Sequence, residues 1–379
     1  MSTDLAPLAE TFAEYARDDF AGMSPLYVRL SRACAQRPRL GAALLAAPPT
    51  QRRPLLFFAA VQYLLRTRAQ GHPLARYLPV LHGEKPADDG LAPALADLVS
   101  DHHDALAELC AARTTQTNEA GRAAYLWPAL GRLAAAFGDR PLHLIELGTS
   151  AGLLLMPDRY AYRYPEAYGR PDAPEPLIMA CDLRSGPSPA FATAAGTPAR
   201  IAGRVGVDLR PIEAGDADAV TWLRSCVWPE QTQRLARLDA ALAEAAAVRP
   251  RLVAGDLVDA LPRVLSSVGA DAVPVVFASH ALTYLSPVRR AELVGVLAAT
   301  GAQRDLAMIV NESDPCGVDL FAATASRRAT AARRSATLAT ATWVRGRPSV
   351  EELGTAGPHG AWLDWSPHSL APASHLRAG

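Results

Sequence analysis

The segment Leu142-His143-Leu144-Ile145-Glu146-Leu147-Gly148-Thr149-Ser150-Ala151-Gly152-Leu153 constrains the fold of this chain more than any other. A short apolar run stops at a cluster of small residues, and an apolar, helix-compatible stretch, 153–156, follows. That is the texture of a buried parallel strand delivering a tight turn. Small residues at 148, 150 and 152 let the backbone bend sharply and let a ligand approach its N–H groups. A turn that needs glycine only for packing leaves the same trace, so the surrounding pattern has to decide.

Before Pro141 the sequence shows no β-alternation. Leu5, Leu8, Phe12 and Tyr15 recur at helical spacing, Leu26, Leu30 and Ala33 begin a second stripe after Ser24-Pro25, and 53–67 and 91–112 read as further helices. Residues 1–115 are therefore expected to form a helical unit. That unit is expected to cap the carboxyl edge of the sheet described next, where open α/β sheets bind ligands. From 141 onward the texture is mixed. Strands are expected at 142–147, 176–182, 203–208, 251–255, 273–279 and 305–311, with helices at 216–226, 231–247, 286–300 and 318–334. Strands alternating with helices of that length predict a mostly parallel sheet covered on both faces. Two more strands, at 338–345 and 360–365, lack a helix between them and are expected to close the sheet as an antiparallel pair. The Pro- and Gly-bearing stretch 163–200 reads as an irregular insertion in a second domain running from 116 to 379.

Composition narrows the function classes. Lys plus Arg and Asp plus Glu are equal at 38 each, so no net field draws in nucleic acid or an anionic membrane. The 5 cysteines are scattered, and none has zinc spacing with a second cysteine or a histidine, so no metal site is expected. No apolar run reaches the roughly 18–20 residues of a membrane helix, and the start reads as an amphipathic acidic stretch and not a signal peptide. A cytoplasmic protein acting on a small molecule is expected; oligomeric state is unreadable.

Three chemistries compete for the loop. A dinucleotide fold wants GxGxxG, which Ser150 and Leu153 break. Gly148-Thr149-Ser150-Ala151-Gly152 satisfies the GxSxG pattern of a hydrolase elbow, with Ser150 as nucleophile and His280 or His359 as base, but such elbows follow several strands and this one follows the first. The loop also resembles the first motif of class I S-adenosylmethionine-dependent methyltransferases, ExGxGxG, with Glu146, Gly148 and Gly152 in place and Ser150 at the central glycine. An acidic residue closing the strand suits a ligand carrying ammonium and sulfonium charges. The resemblance continues through Gly206-Val207-Asp208-Leu209, Val253-Ala254-Gly255-Asp256-Leu257 and 275–285 in the order that fold requires. Nearly end to end, the chain further resembles an uncharacterised bacterial family, domain of unknown function 2332. Its marks here are Gln116-Thr117-Asn118-Glu119-Ala120-Gly121-Arg122, the loop itself, 159–164, 206–211 and Pro358-His359-Gly360.

The resemblance implies a Rossmann-like class I methyltransferase sheet with a small-molecule acceptor and S-adenosylmethionine as cofactor. It places Glu146, Gly148, Ser150 and Gly152 at the cofactor, Asp208 at its ribose with Asp182 as the rival, and Asp256 and Leu257 at its adenine. Asn118, Glu119 and Arg122 read either as a capped turn with a surface ion pair, since 119 and 122 share a helical face, or as closing over the cofactor, Arg122 toward a carboxylate. His280, at the end of the fourth strand, is the expected base because an imidazole titrates near neutrality. Tyr160, Tyr284, Asn311, Glu312 and His359 are candidates for the acceptor pocket. A serine hydrolase using Ser150 and a non-catalytic ligand-binding relative stand as alternatives.

Overall fold

The computed structural model describes residues 5–138, 140–164, 167–169, 174–187, 199–313, 315–324 and 336–377. In chain order its helices are α1 (Ala6–Glu14), α2 (Pro25–Gln36), α3 (Pro54–Thr67), α4 (Leu91–Ala112), α5 (Ala123–Ala136), α6 (Ala217–Ser225), α7 (Thr232–Val248), α8 (Leu257–Ser266) and α9 (Pro287–Gln303). The strands are β1 (Leu142–Leu147), β2 (Ala161–Arg163), β3 (Ala167–Gly169), β4 (Ile178–Ala180), β5 (Asp182–Ser185), β6 (Ile201–Asp208), β7 (Arg251–Ala254), β8 (Val273–Ser279), β9 (Leu306–Glu312), β10 (Ala336–Val344), β11 (Arg347–Ala356) and β12 (Trp362–Leu370). No described helix is long and apolar enough to cross a membrane.

Two compact units divide the chain, Met1–Thr117 with Gly215–Leu238, and Asn118–Ala214 with Asp239–Gly379. The first is helical. Its core gathers the rings of Phe12, Phe20, Tyr27, Phe57, Phe58 and Trp228, with Phe20 and Trp228 edge to face at 5.3 Å. The segment 215–238 is tied to it by polar contacts as well. Glu230 accepts from Ser24 Oγ at 2.6 Å and from Leu26 N at 2.8 Å, completing the amino-terminal cap of α2, while Gln62 Nε2 donates to Tyr27 Oη and to Val227 O. Sequence periodicity alone places α6 beside the sheet; apolar Trp222 and Leu223 and the α3 surface put it in the helical unit instead.

The second unit is mixed α/β around one nine-stranded, mostly parallel sheet in the order β5-β12-β11-β10-β9-β8-β1-β6-β7. The parallel part, β7-β6-β1-β8-β9, has the doubly wound order, and it reverses direction between β1 and β8. Open sheets of this kind bind ligands at that reversal, outside the carboxyl ends of the strands. Alternation assigns faces. Ile145, Leu147, Val276, Ala278, Met308 and Val310 join the core formed with α8 and α9. The opposite set, including Glu146, Phe277, Ser279, Ile309 and Asn311, is in register across β1, β8 and β9 on the other face. That face meets α5, whose Tyr125 hydroxyl bonds Ser279 Oγ at 2.8 Å.

Several expectations need correction. β10 and β12 do not pair with each other: β11 lies between them, antiparallel to both. The register shift between Glu352 and Gly354 is where the β11–β12 ladder absorbs that glycine. The 176–182 segment splits into β4, in a small sheet β3-β2-β4, and β5, on the far edge of the large one. α8 was hidden by Pro262, which sits inside it. No α-helix follows the loop after β1; two short 3-10 turns, Leu153–Leu155 and Pro157–Arg159, stand there, and Pro157 prevents a longer helix. Of the expected helix 318–334, only the 3-10 turn Val318–Leu320 is regular among the described residues, and 325–335 lies outside them.

Gly301, inside α9, lies against the Trp343 indole of β10, so an added methyl group would fall well inside van der Waals contact. Gly→Ala in a helix ordinarily stabilises by about 1 kcal/mol. Here the sign should invert: Gly301→Ala is expected to destabilise by about 1–3 kcal/mol through overpacking, read as a lower urea midpoint with an unchanged m-value.

Candidate functional site

The turn after β1 is held open by its own side chains. Gly148, Ser150 and Gly152 all have positive φ, at +79°, +50° and +70°. A Cβ on Gly148 would stand 2.6 Å from that of Ala281, so the loop and the turn after β8 touch where glycine alone fits. Asp208, the last residue of β6, accepts from Ser150 N at 2.9 Å through Oδ2 and from Arg210 N at 2.9 Å through Oδ1. Asp208 therefore adjoins the loop, whereas Asp182 begins β5 on the far edge of the sheet, with five strands between it and β1.

Glu146 points to the α5 face. Its Oε2 accepts from Thr149 Oγ1 at 2.7 Å, and Thr149 itself packs on Gly206 of β6, where any side chain would displace it. Burial raises the Glu146 carboxyl to about 8; the Thr149 bond and the nearby Arg122 guanidinium oppose that rise, and the Asp208 charge adds to it.

Asn118, Glu119 and Arg122 reach the same place by a different route. Asn118 Nδ2 donates to Thr149 O at 3.3 Å, and Glu119 Oε1 accepts from Gly121 N at 3.0 Å. The helical-face ion pair is not formed: 120–122 is a 3-10 turn, and Arg122 is buried with Nε on Pro358 O at 2.9 Å and Nη1 on Ser279 O at 3.1 Å. Gly360, with φ at +77°, lies against Gly121 O so closely that a side chain there would collide with the turn. The 118–122 segment, the 146–152 loop, Asp208, 279–281 and the 358–360 turn thus come together at the carboxyl edge of the sheet.

His280 follows β8 with φ at +55°, a left-handed conformation uncommon outside glycine and concentrated at functional turns. Its titration departs from expectation. Burial, with Arg122 and His359 as positive neighbours, lowers it to about 3, so it stays neutral at cellular pH and holds a proton poorly. Among the described residues no carboxylate orients it, so His280 does not complete a hydrolase triad. Glu312 spends Oε1 on Ala281 N at 2.6 Å and Leu282 N at 2.9 Å, and burial lifts its carboxyl to about 7. Asn311 is 1 % exposed. Neither of its amide atoms has a hydrogen-bond partner among the described residues.

The remaining candidates are disposed in different ways. Tyr160 is fully buried and donates to Leu153 O at 2.7 Å, bracing the turn from within, so it is a strut and not a pocket wall; Tyr162 and Tyr164 are likewise buried with hydroxyls on Pro157 O and Ala124 O. Asp256 caps α8 and pairs with Arg289, while Leu257 joins the core beneath it. Tyr284 is 75 % exposed on the turn after β8, and His359 is half-buried. The buried partners Tyr125, Ser279 and Thr149 were not singled out from sequence; Thr149 stood inside the motif, whereas Tyr125 and Ser279 carry no local signal. The helical unit has a separate cavity of about 530 Å³ lined in part by Arg66, Gln70, His82 and Arg224, and none of the candidates borders it.

Because the fold raises the Glu146 carboxyl above its unfolded value near 4.5, the folded state binds more protons between the two. That stabilisation is complete below pH ~4.5 and is lost as pH rises through about 8. Glu146→Gln should remove this component, so the fall in thermal midpoint between pH 5 and 9 becomes shallower in the variant than in wild type. A parallel slope in both proteins would contradict the assignment.

No curated protein matches the chain. Among solved structures, the CcbJ methyltransferase from Streptomyces caelestis aligns at 13 % identity over 67 % of this chain and 78 % of its own, with a TM-score of 0.22, too slight a likeness to transfer anything. The profile described as "Uncharacterized protein conserved in bacteria (DUF2332)" matches residues 9–365, and the chain belongs to that family.

Proposed function

We propose that the chain binds S-adenosylmethionine at the β1 turn and transfers its methyl group to a small-molecule acceptor at the carboxyl ends of β8 and β9. The observation that carries this reading is the convergence of Glu146 and Asp208 on a glycine turn that Asn118 also reaches and that has no helix behind it. A phosphate or pyrophosphate seeks a helix amino terminus and its positive dipole end. This turn offers carboxylates instead, which suit a cationic ligand.

The residues fit such a ligand in a second respect. Glu146 is a buried carboxyl reluctant to ionise by itself. A cation beside it favours the ionised form and repays part of the desolvation. Glu119 and Asn118 are assigned to the ammonium group, Asp208 to the ribose hydroxyls, and Asp256 with Leu257 to the adenine rim. When bound, the cofactor supplies a methyl group on positively charged sulfur, an electrophile that needs no further activation. The chain's share of the work is then positional: holding the acceptor in line and excluding water. His280, neutral and rigidly turned, acts in this scheme as a hydrogen-bonding group toward the acceptor more readily than as a proton store.

Isothermal titration with S-adenosylmethionine and S-adenosylhomocysteine tests the reading. Both should bind wild type, and Glu146→Gln should weaken the sulfonium form by about 10- to 100-fold, the worth of one charge-assisted contact. No heat with either ligand, together with labelling of Ser150 by a fluorophosphonate, would replace the proposal with the hydrolase. Binding without turnover on any acceptor would leave a ligand-binding relative of the fold.

A further inference from the structure

Two polar groups at the ends of β8 and β9 are buried without the partners their chemistry demands. Arg122 is 7 % exposed, and its guanidinium bonds two backbone carbonyls. Among the described residues no carboxylate lies within ion-pair distance of it. Glu146 and Glu312 feel its field, but burial pushes both up, to about 8 and about 7, so they balance it only partly at neutral pH. Asn311 is the second group, with both amide atoms unbonded among the described residues at 1 % exposure. Register sets it opposite Ser279, whose carbonyl Arg122 holds, and on the same face as Glu146. His280 Nε2, buried and likewise unbonded among the described residues, is on the next residue.

An unmade bond on a buried amide costs about 1–3 kcal/mol, and a buried cation without an anion costs more. One ligand group relieves both. We propose that Arg122 and Asn311 form a subsite for a carboxylate on the methyl acceptor, and that this carboxylate oxygen is the atom methylated. The proposal rests on the methyl-transfer reading above. Arg122 would supply charge and its remaining N–H donors, and Asn311 Nδ2 a neutral donor, leaving Oδ1 for a hydroxyl or N–H on the body of the acceptor.

The chemistry agrees with the surroundings. An amine or alcohol acceptor must shed a proton, and the histidine beside it is held from taking one. A carboxylate is already deprotonated at neutral pH. As its oxygen bonds to the methyl carbon the carbon–sulfur bond breaks, the bonding pair passes to sulfur, and no proton is released; an anion and a sulfonium become an ester and a thioether.

The full-length protein saturated with S-adenosylhomocysteine is titrated with benzoate, phenylacetate and mandelate, and with their primary amides, following the thermal midpoint. Arg122→Gln and the near-isosteric Asn311→Asp are run in parallel. The acids should raise the midpoint by a few degrees and the amides should not. Both variants should lose the increment from the acids, and Asn311→Asp should keep that from S-adenosylhomocysteine. With methyl-labelled cofactor, label passed to an acid should leave as methanol on mild alkali. Equal stabilisation by amides, no stabilisation by any acid, or alkali-stable label overturns the proposal. So does loss of the S-adenosylhomocysteine increment in Asn311→Asp, which would assign the amide to the cofactor. Absence of that increment in wild type removes the methyl-transfer reading, and the subsite with it.

Discussion

The Arg122 guanidinium is the tie on which the carboxyl edge of the sheet depends. Through two hydrogen bonds it joins a turn near residue 120 to the end of β8 and to the turn after β11, segments 157 and 236 residues away in the chain. Burying a guanidinium against carbonyls alone is expensive, and a chain that needed only a structural tie has cheaper apolar options. The edge is therefore organised around charge. Glu146, Glu312 and His280 each have their protonation shifted by burial, and in each Arg122 appears among the neighbouring charges.

Much of this was legible from residues, because parallel strands leave a strong local trace. β1, β6, β7, β8 and β9 each end an apolar run in glycine or a polar residue, and the sequence places all five within two residues of their bounds. The glycine turn was equally legible, since positive φ leaves few alternatives to small residues. Asp208 stood out as a strand-end acid, but that it and not Asp182 adjoins the loop follows from the strand order, a tertiary fact.

The failures share a cause as well. Apolar 153–156 has helix propensity, and Pro157 outweighs it. α6 is amphipathic wherever it packs, so periodicity could not say which unit it joins. His280 was read by its free-solution behaviour, whereas desolvation and two cationic neighbours set its actual affinity for a proton. Tyr125 and Ser279 were missed because a buried hydroxyl pair has no spacing signature. Sequence reading recovers what is periodic or conformationally forced; it loses what depends on which charges become neighbours.

The passage of the chain between the units has a consequence for biosynthesis. The helical unit is discontinuous: its first 117 residues lack Trp228, Glu230 and the α6 surface, which arrive only with 215–238. On the ribosome, α1 to α4 must therefore wait for about half the remaining polypeptide before their aromatic cluster can close. During that interval β1 and β6 have emerged while β8 and β7, which flank them, have not. The helical unit is complete only once residue 238 has emerged, so any fragment boundary near residue 117 would split a core instead of separating two independent folders.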